Sequence, residues 1–147
     1  MKTFRSTFLV LLVVAVSVPS FAHHMAVVVA VDNGASNLTS VQLGRIFRAE
    51  NKKWPDGRDI VLILHRASAG ESITLQHLNK MTAAQFQAWS SEHREHLKFV
   101  DSDQEMVDAV QSTPGAVGLV DVRAVNDKVK VLHVDGKLPM EEGYLPH

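Results

Sequence analysis

Four short runs of aliphatic and β-branched residues recur along the chain: "MAVVVAV" (25–31), "IVLIL" (60–64), "AVGLVDV" (116–122) and "KVKVLHV" (128–134). Each is too short for a core helix and too continuously apolar for a strand with one face in water. They read as strands buried on both faces, which happens when helices cover both sides of a sheet. The intervening stretches have helical spacing. In "LTSVQLGRIF" (38–47), Leu38, Val41, Leu43, Ile46 and Phe47 recur at that spacing, and Thr39 with Gln42 forms a capping-box pattern. "ESITLQHLNKM" (71–81) and "TAAQFQAWSSEHREH" (82–96) predict two more helices, the second capped by Thr82 with Gln85. "LKFV" (97–100) is a short strand, and "DSDQEMVDAVQSTPG" (101–115) an acid-capped helix closed by Pro-Gly. "NKKWPDG" (51–57) and "DGKLPMEEGYLPH" (135–147) read as loops, with Trp54 available either for packing or for stacking on a ligand. Strands alternating with helices predict an α/β layer fold with a mixed, mostly parallel sheet.

The first 22 residues have the layout of a secretory signal. Lys2 and Arg5 precede the uncharged run "FLVLLVVAVSV" (8–18), and Ser20 and Ala22 stand at the −3 and −1 positions of a cleavage site. The apolar run is short for a membrane span and no second one follows, so stable membrane insertion is not expected. Residues 23–147 then form one domain, exported and periplasmic or secreted. Two of the 15 basic and none of the 16 acidic residues leave with the signal, so the remaining 13 and 16 give a net charge of −3. A mildly acidic domain is not a general nucleic-acid binder, and any anion must be held by local geometry. The chain has no Cys, hence no disulfide framework and no nucleophilic thiol.

The chemistry concentrates in "HRASAGES" (65–72), directly after the second strand. In open α/β sheets ligands sit beyond the carboxyl ends of strands, where helix N-termini present unpaired N–H groups. Arg66 offers a forked donor, Ser68 and Ser72 offer hydroxyls, and Gly70 permits close approach of an oxyanion. The same residues also spell the capping box S-x-x-E, with Ser68 and Glu71 bonding each other's backbone and using up those donors. Elsewhere, cleavage after Ala22 would expose His23 and His24 as a terminal copper chelate or a frayed end. His93 and His96 lie on one helix face with no third ligand in view. No nucleophile elbow, P-loop or dinucleotide fingerprint is present, so the sequence points to no enzyme, no cofactor and no resident metal.

Taken together the segments resemble a family. "LTSVQLGRIFRAENKKWPDG" (38–57) is similar to the "LT…L..IF.G…W.DG" stretch of phosphate-binding proteins of ABC transporters. "SDQEMVDAVQSTPGAVGLV" (102–120) resembles their "S..E…V…PGAIGYV", and "VKVLHVDGKLPMEEGY" (129–144) the strand and tail that follow. The chain is identified as a small PstS-like member of the periplasmic-binding-protein type. The resemblance implies a single α/β lobe plus a returning tail, where the family has two lobes closing on phosphate. In the family the matching lobe supplies an Arg and then an S-G-T-like turn. Arg66 falls at the Arg, and Gly70, Glu71 and Ser72 fall at the turn, with Gly displaced by one and a Glu in the middle. Ala49 stands where a Gly is usual, and Leu119 where a Tyr is usual. The resemblance thus implies phosphate or a similar oxyanion at Arg66, Ser68, Gly70 and Ser72. Its implied partners are an ABC permease or a periplasmic protein, or a second copy forming a homodimer. The other implied role is a lobe that has lost its ligand and serves as an interaction or sensing module.

Overall fold

The computed structural model describes residues 24–146. The proposed signal segment and His23 lie outside the described residues. Strand β1 (Met25–Ala30) is buried along its whole length. A short strand β2 (Asn37–Leu38) leads into helix α1 (Ser40–Phe47), which Thr39 and Gln42 close with a full capping box. Strand β3 (Val61–His65) is followed by α2 (Ala69–Asn79) and α3 (Ala83–Glu92), then β4 (Leu97–Val100), α4 (Asp103–Ser112) and β5 (Ala116–Asp121). Thr82 and Gln85 cap α3 as the spacing predicts.

The main sheet has the order β4-β3-β5-β1-β6, where β6 is Val129–Val131. β3 runs parallel to β4 and β5, while β1 is antiparallel to β5 and β6. Four strands therefore point one way and only β1 is reversed, the mixed and mostly parallel sheet that the run pattern predicts. The run 128–134 does not form one strand. It breaks at Leu132, and β7 (His133–Val134) leaves to pair in parallel with β2. Leu132 is fully buried and donates its N–H to the Val27 carbonyl, so the break is a turn of the chain into the core.

Helices cover both faces, and β1 divides its side chains between the two cores. Met25, Val27 and Val29 face the larger one, with Leu43, Phe47, Leu75 and Trp89 from α1, α2 and α3. Ala26 and Val28 face the smaller one, with Met106, Val107 and Val110 from α4. Trp54 is 4% exposed, and its indole N–H donates to the Gly115 carbonyl at 2.9 Å, so it packs. Gly115 has φ +77°, and a Cβ there would sit 2.1 Å from the Asp59 carbonyl oxygen; only glycine fits this contact. Ala49 takes a left-handed φ of 58°, a conformation that Gly adopts at less cost, in line with the Gly that the resemblance implies there.

The tail read as a loop carries part of the core. Tyr144 and Leu145 are buried in the larger cluster. The Tyr144 hydroxyl donates to the Leu132 carbonyl at 2.6 Å and accepts from the Val27 N–H at 3.2 Å. It bridges β1 to the place where β6 ends. Burial pushes the phenol pKa up to about 12, against the smaller opposing effect of the Val27 N–H, so it is a neutral donor at any physiological pH. Tyr144→Phe is expected to strip two buried backbone groups of their partner and to lower stability by about 1–3 kcal/mol, read by urea unfolding.

Candidate functional site

Parallel pairing of β3 and β4 sets His65 opposite Val100, so the residues just beyond both strands meet at one edge. The Arg66 guanidinium forks onto Asp101, with Nε–Oδ1 at 3.0 Å and Nη2–Oδ2 at 3.1 Å, and lies 5.6 Å from the centroid of the Phe99 ring. Ser102 then caps α4 by accepting the Glu105 N–H at 3.1 Å. His65 Nδ1 lies 3.5 Å from Asp103 Oδ1.

Ser68 is the N-cap of α2 and accepts the Glu71 N–H at 3.1 Å. The other half of the expected capping box is not formed. Glu71 Oε2 instead accepts the His65 N–H at 2.6 Å, while the Ser68 N–H bonds the His65 carbonyl. The carboxylate thus turns inward across the loop and ties the helix start to the end of β3. Glu71 is only 3% exposed. Burial holds its pKa well above the ordinary value; the His65 N–H opposes this and the nearby Asp103 charge adds to it. Glu71 Oε1, His65 Nδ1 and Asp103 Oδ1 are buried without a hydrogen-bond partner among the described residues.

Beside this corner lies an open cavity of about 370 Å³ between β3, β4, α2 and α3. Leu64, Ala83, Phe86 and Phe99 form its apolar lining, and Glu71, Ser72, Gln87, Ser90, Ser91 and Arg94 supply polar groups, with Arg66 at the edge. Of the four residues singled out in the sequence, Arg66 and Ser72 line the cavity and Ser68 and Gly70 do not. Ser72 Oγ accepts from Gln76 at 3.0 Å. Gly70 lies in the first turn of α2, where N–H groups have no intrahelical acceptor. Arg94 makes no ion pair among the described residues. Sequence reasoning missed it, although Gln87, Ser90, Ser91 and Arg94 recur at helical spacing as a polar stripe beside the apolar face of α3.

The histidines fall elsewhere. His93 and His96 line a second depression, of about 560 Å³, with Lys52, Asp59 and Glu92. The His93 ring stacks on Trp89 at 4.7 Å and its Nδ1 meets the Trp89 carbonyl at 2.9 Å, so it finishes α3. Among the described residues no group of three or more His, Asp or Glu side chains is arranged to hold a metal ion.

A family model described as the PBP superfamily domain matches residues 14–143. The chain belongs to the PBP superfamily. Among solved structures this PBP-superfamily chain is similar to an ABC-type phosphate transport receptor from Vibrio cholerae (TM-score 0.64, 21% identity), covering 80% of this chain and 48% of that one. It is also similar to PstS from Borrelia burgdorferi (TM-score 0.63, 21% identity; 80% and 49% covered) and to a chain from Clostridium perfringens with bound phosphate (TM-score 0.65, 22% identity; 79% and 46% covered). No curated protein matches the sequence. The resemblance read from 38–57, 102–120 and 129–144 therefore stands at the level of the fold, and the chain spans about half the length of these solved relatives. No helix among the described residues is long and apolar enough to cross a membrane.

The buried carboxyl has a consequence for stability. The folded state holds the Glu71 proton more tightly than the unfolded chain does, so the unfolded state binds fewer protons between the two pKa values. Stability then falls as pH rises from about 4.5 through the raised native value. Glu71→Gln is expected to remove that slope and to be the more stable protein at pH 8, by on the order of 1 kcal/mol. Thermal melts of both proteins from pH 4 to pH 8 measure this; parallel curves would show that burial does not perturb Glu71.

Proposed function

We propose that this protein is an exported, non-enzymatic solute-binding domain that holds phosphate or a similar oxyanion at the carboxyl end of β3, in company with an ABC transporter. The observation that carries the proposal is the convergence of Arg66, Ser72, Arg94 and the first turn of α2 around one cavity, in a fold shared with phosphate receptors. Ser68 and Gly70 serve the same site indirectly. Ser68 fixes the helix start, and Gly70 keeps its first turn free of a side chain. The Arg66–Asp101 fork is more than half exposed, and such pairs contribute only about 0–1 kcal/mol, so an incoming oxyanion can take over the guanidinium.

Titration calorimetry with phosphate and with sulfate on the mature protein tests this. Binding in the millimolar range or tighter is expected, with Arg66→Ala weakening it by about tenfold and Asp101→Ala strengthening it severalfold. No heat from the wild-type protein at millimolar ligand would overturn the proposal.

A second reading has its own observation. Glu71 sets a buried carboxyl where the resemblance places the middle of an anion-binding turn, which favours a lobe that has given up oxyanions and acts as an interaction or sensing module. On that reading Glu71→Thr gains phosphate affinity from a wild type that has none. Tight binding of phosphate by the wild-type monomer would exclude it.

A further inference from the structure

Two groups of opposite sign line the cavity and lack ionic partners of their own. Arg94, at the foot of α3, makes no ion pair among the described residues, and Arg66 is engaged by Asp101 alone. Glu71 is more than nine-tenths buried; one oxygen takes the His65 N–H and the other has no hydrogen-bond partner. The groups nearest Glu71 do not compensate a charge on it, since His65 Nδ1 already faces Asp103, and Asp103 repels it. A carboxylate withdrawn from water needs a cation or further donors, and among the described residues only the His65 N–H is bonded to it. In the same lining, Leu64, Ala83, Phe86 and Phe99 present apolar surface that a bare tetrahedral oxyanion cannot use. The volume, about 370 Å³, falls within the roughly 300–1,000 Å³ typical of sites for small organic ligands.

We propose that the cavity takes a small organic zwitterion, its oxyanion held by Arg94 and Arg66, its ammonium group held by Glu71, and a short apolar segment between them lying against Phe86 and Phe99. This rests on the oxyanion reading above and narrows it. Glu71 is then no remnant in an anion site but the element that selects among oxyanions. The ligand's ammonium draws Glu71 into the complex as the carboxylate, releasing to solvent the proton that burial holds on it, and replaces the water lost on burial. Ser72, Ser90 and Ser91 remain as hydrogen-bonding groups along the wall.

The test is calorimetric titration of the mature protein with 2-aminoethylphosphonate, ethylphosphonate, γ-aminobutyrate and inorganic phosphate, on wild type, Glu71→Gln and Arg94→Ala. Glu71→Gln keeps the side-chain shape and cannot ionise to meet an ammonium group, and its melting curve verifies that it folds. The expected result is that 2-aminoethylphosphonate binds wild type at least about tenfold more tightly than ethylphosphonate does, and that Glu71→Gln abolishes the preference. γ-Aminobutyrate separates a carboxylate from a phosphonate as the oxyanion, and Arg94→Ala is expected to weaken whichever of the two binds. Equal affinity of wild type for the amino and non-amino phosphonates overturns the inference, as does a preference that survives in Glu71→Gln. If inorganic phosphate binds and the ammonium confers nothing, the oxyanion reading stands and this inference alone falls. If no ligand binds, both fall.

Discussion

Everything in this fold is arranged around a strand that has no solvent side. β1 is sealed on both faces, and its two edges are taken by β5 and β6. A strand in that position must find a partner for every backbone group, because an unpaired buried N–H or carbonyl costs more than most single contacts return. Where β6 stops short, a tyrosine hydroxyl from the far end of the chain completes the pairing at Val27 and at Leu132. The tail is therefore part of the sheet's hydrogen bonding and not an appendage. The strand also sorts the helices, since alternate side chains divide between the core under α1 and α2 and the core under α4. With β1 in the middle, β3 lies between β5 and β4, and its carboxyl end opens where the helix starts of α2 and α4 come together.

That corner shows how one side chain can change the character of a site. Ser68 supplies an ordinary helix cap, and an ordinary partner at Glu71 would have closed the box on the Ser68 N–H. Instead the carboxylate reaches back to the end of β3, where His65 offers a free N–H within the turn. The cost is burial of an acid beside Asp103, which keeps its proton bound well above the usual carboxylate range. Buried titratable groups of this kind, beside a cavity, are more common at binding sites than in purely structural corners. A fold shared with phosphate receptors at about one-fifth identity does not carry their ligand with it, so the site has to be argued from its own residues.

The layer architecture was legible in the apolar runs, and the ends of α1 and α3 in two capping boxes. These features are local: a run of valines is buried wherever it lies, and a cap bonds within three residues. The misread places are those where distant segments meet. The run 128–134 reads as one strand, but Leu132 is drawn into the core by contacts with β1, and the remainder pairs with β2. Tyr144 looked like part of a loop because its two partners are contributed by residues far away in the chain. Arg66 looked like a free donor because Asp101 reaches it only through the pairing of β3 with β4. Arg94 went unnoticed between two histidines, since nothing local says that its helix lines a cavity.

The sequence by itself determined the α/β class, the burial of the strands β1, β3 and β5, the helix starts and the position of a polar turn after β3. Periodicity and capping are short-range properties, and they survive without knowledge of neighbours. Only the tertiary structure decided which of the turn's polar groups face a cavity, which are spent on caps and ion pairs, and which acid is buried. Those outcomes depend on strand order and register, which bring residues tens of positions apart within hydrogen-bond distance, and on the withdrawal of water that gives Glu71 its chemistry.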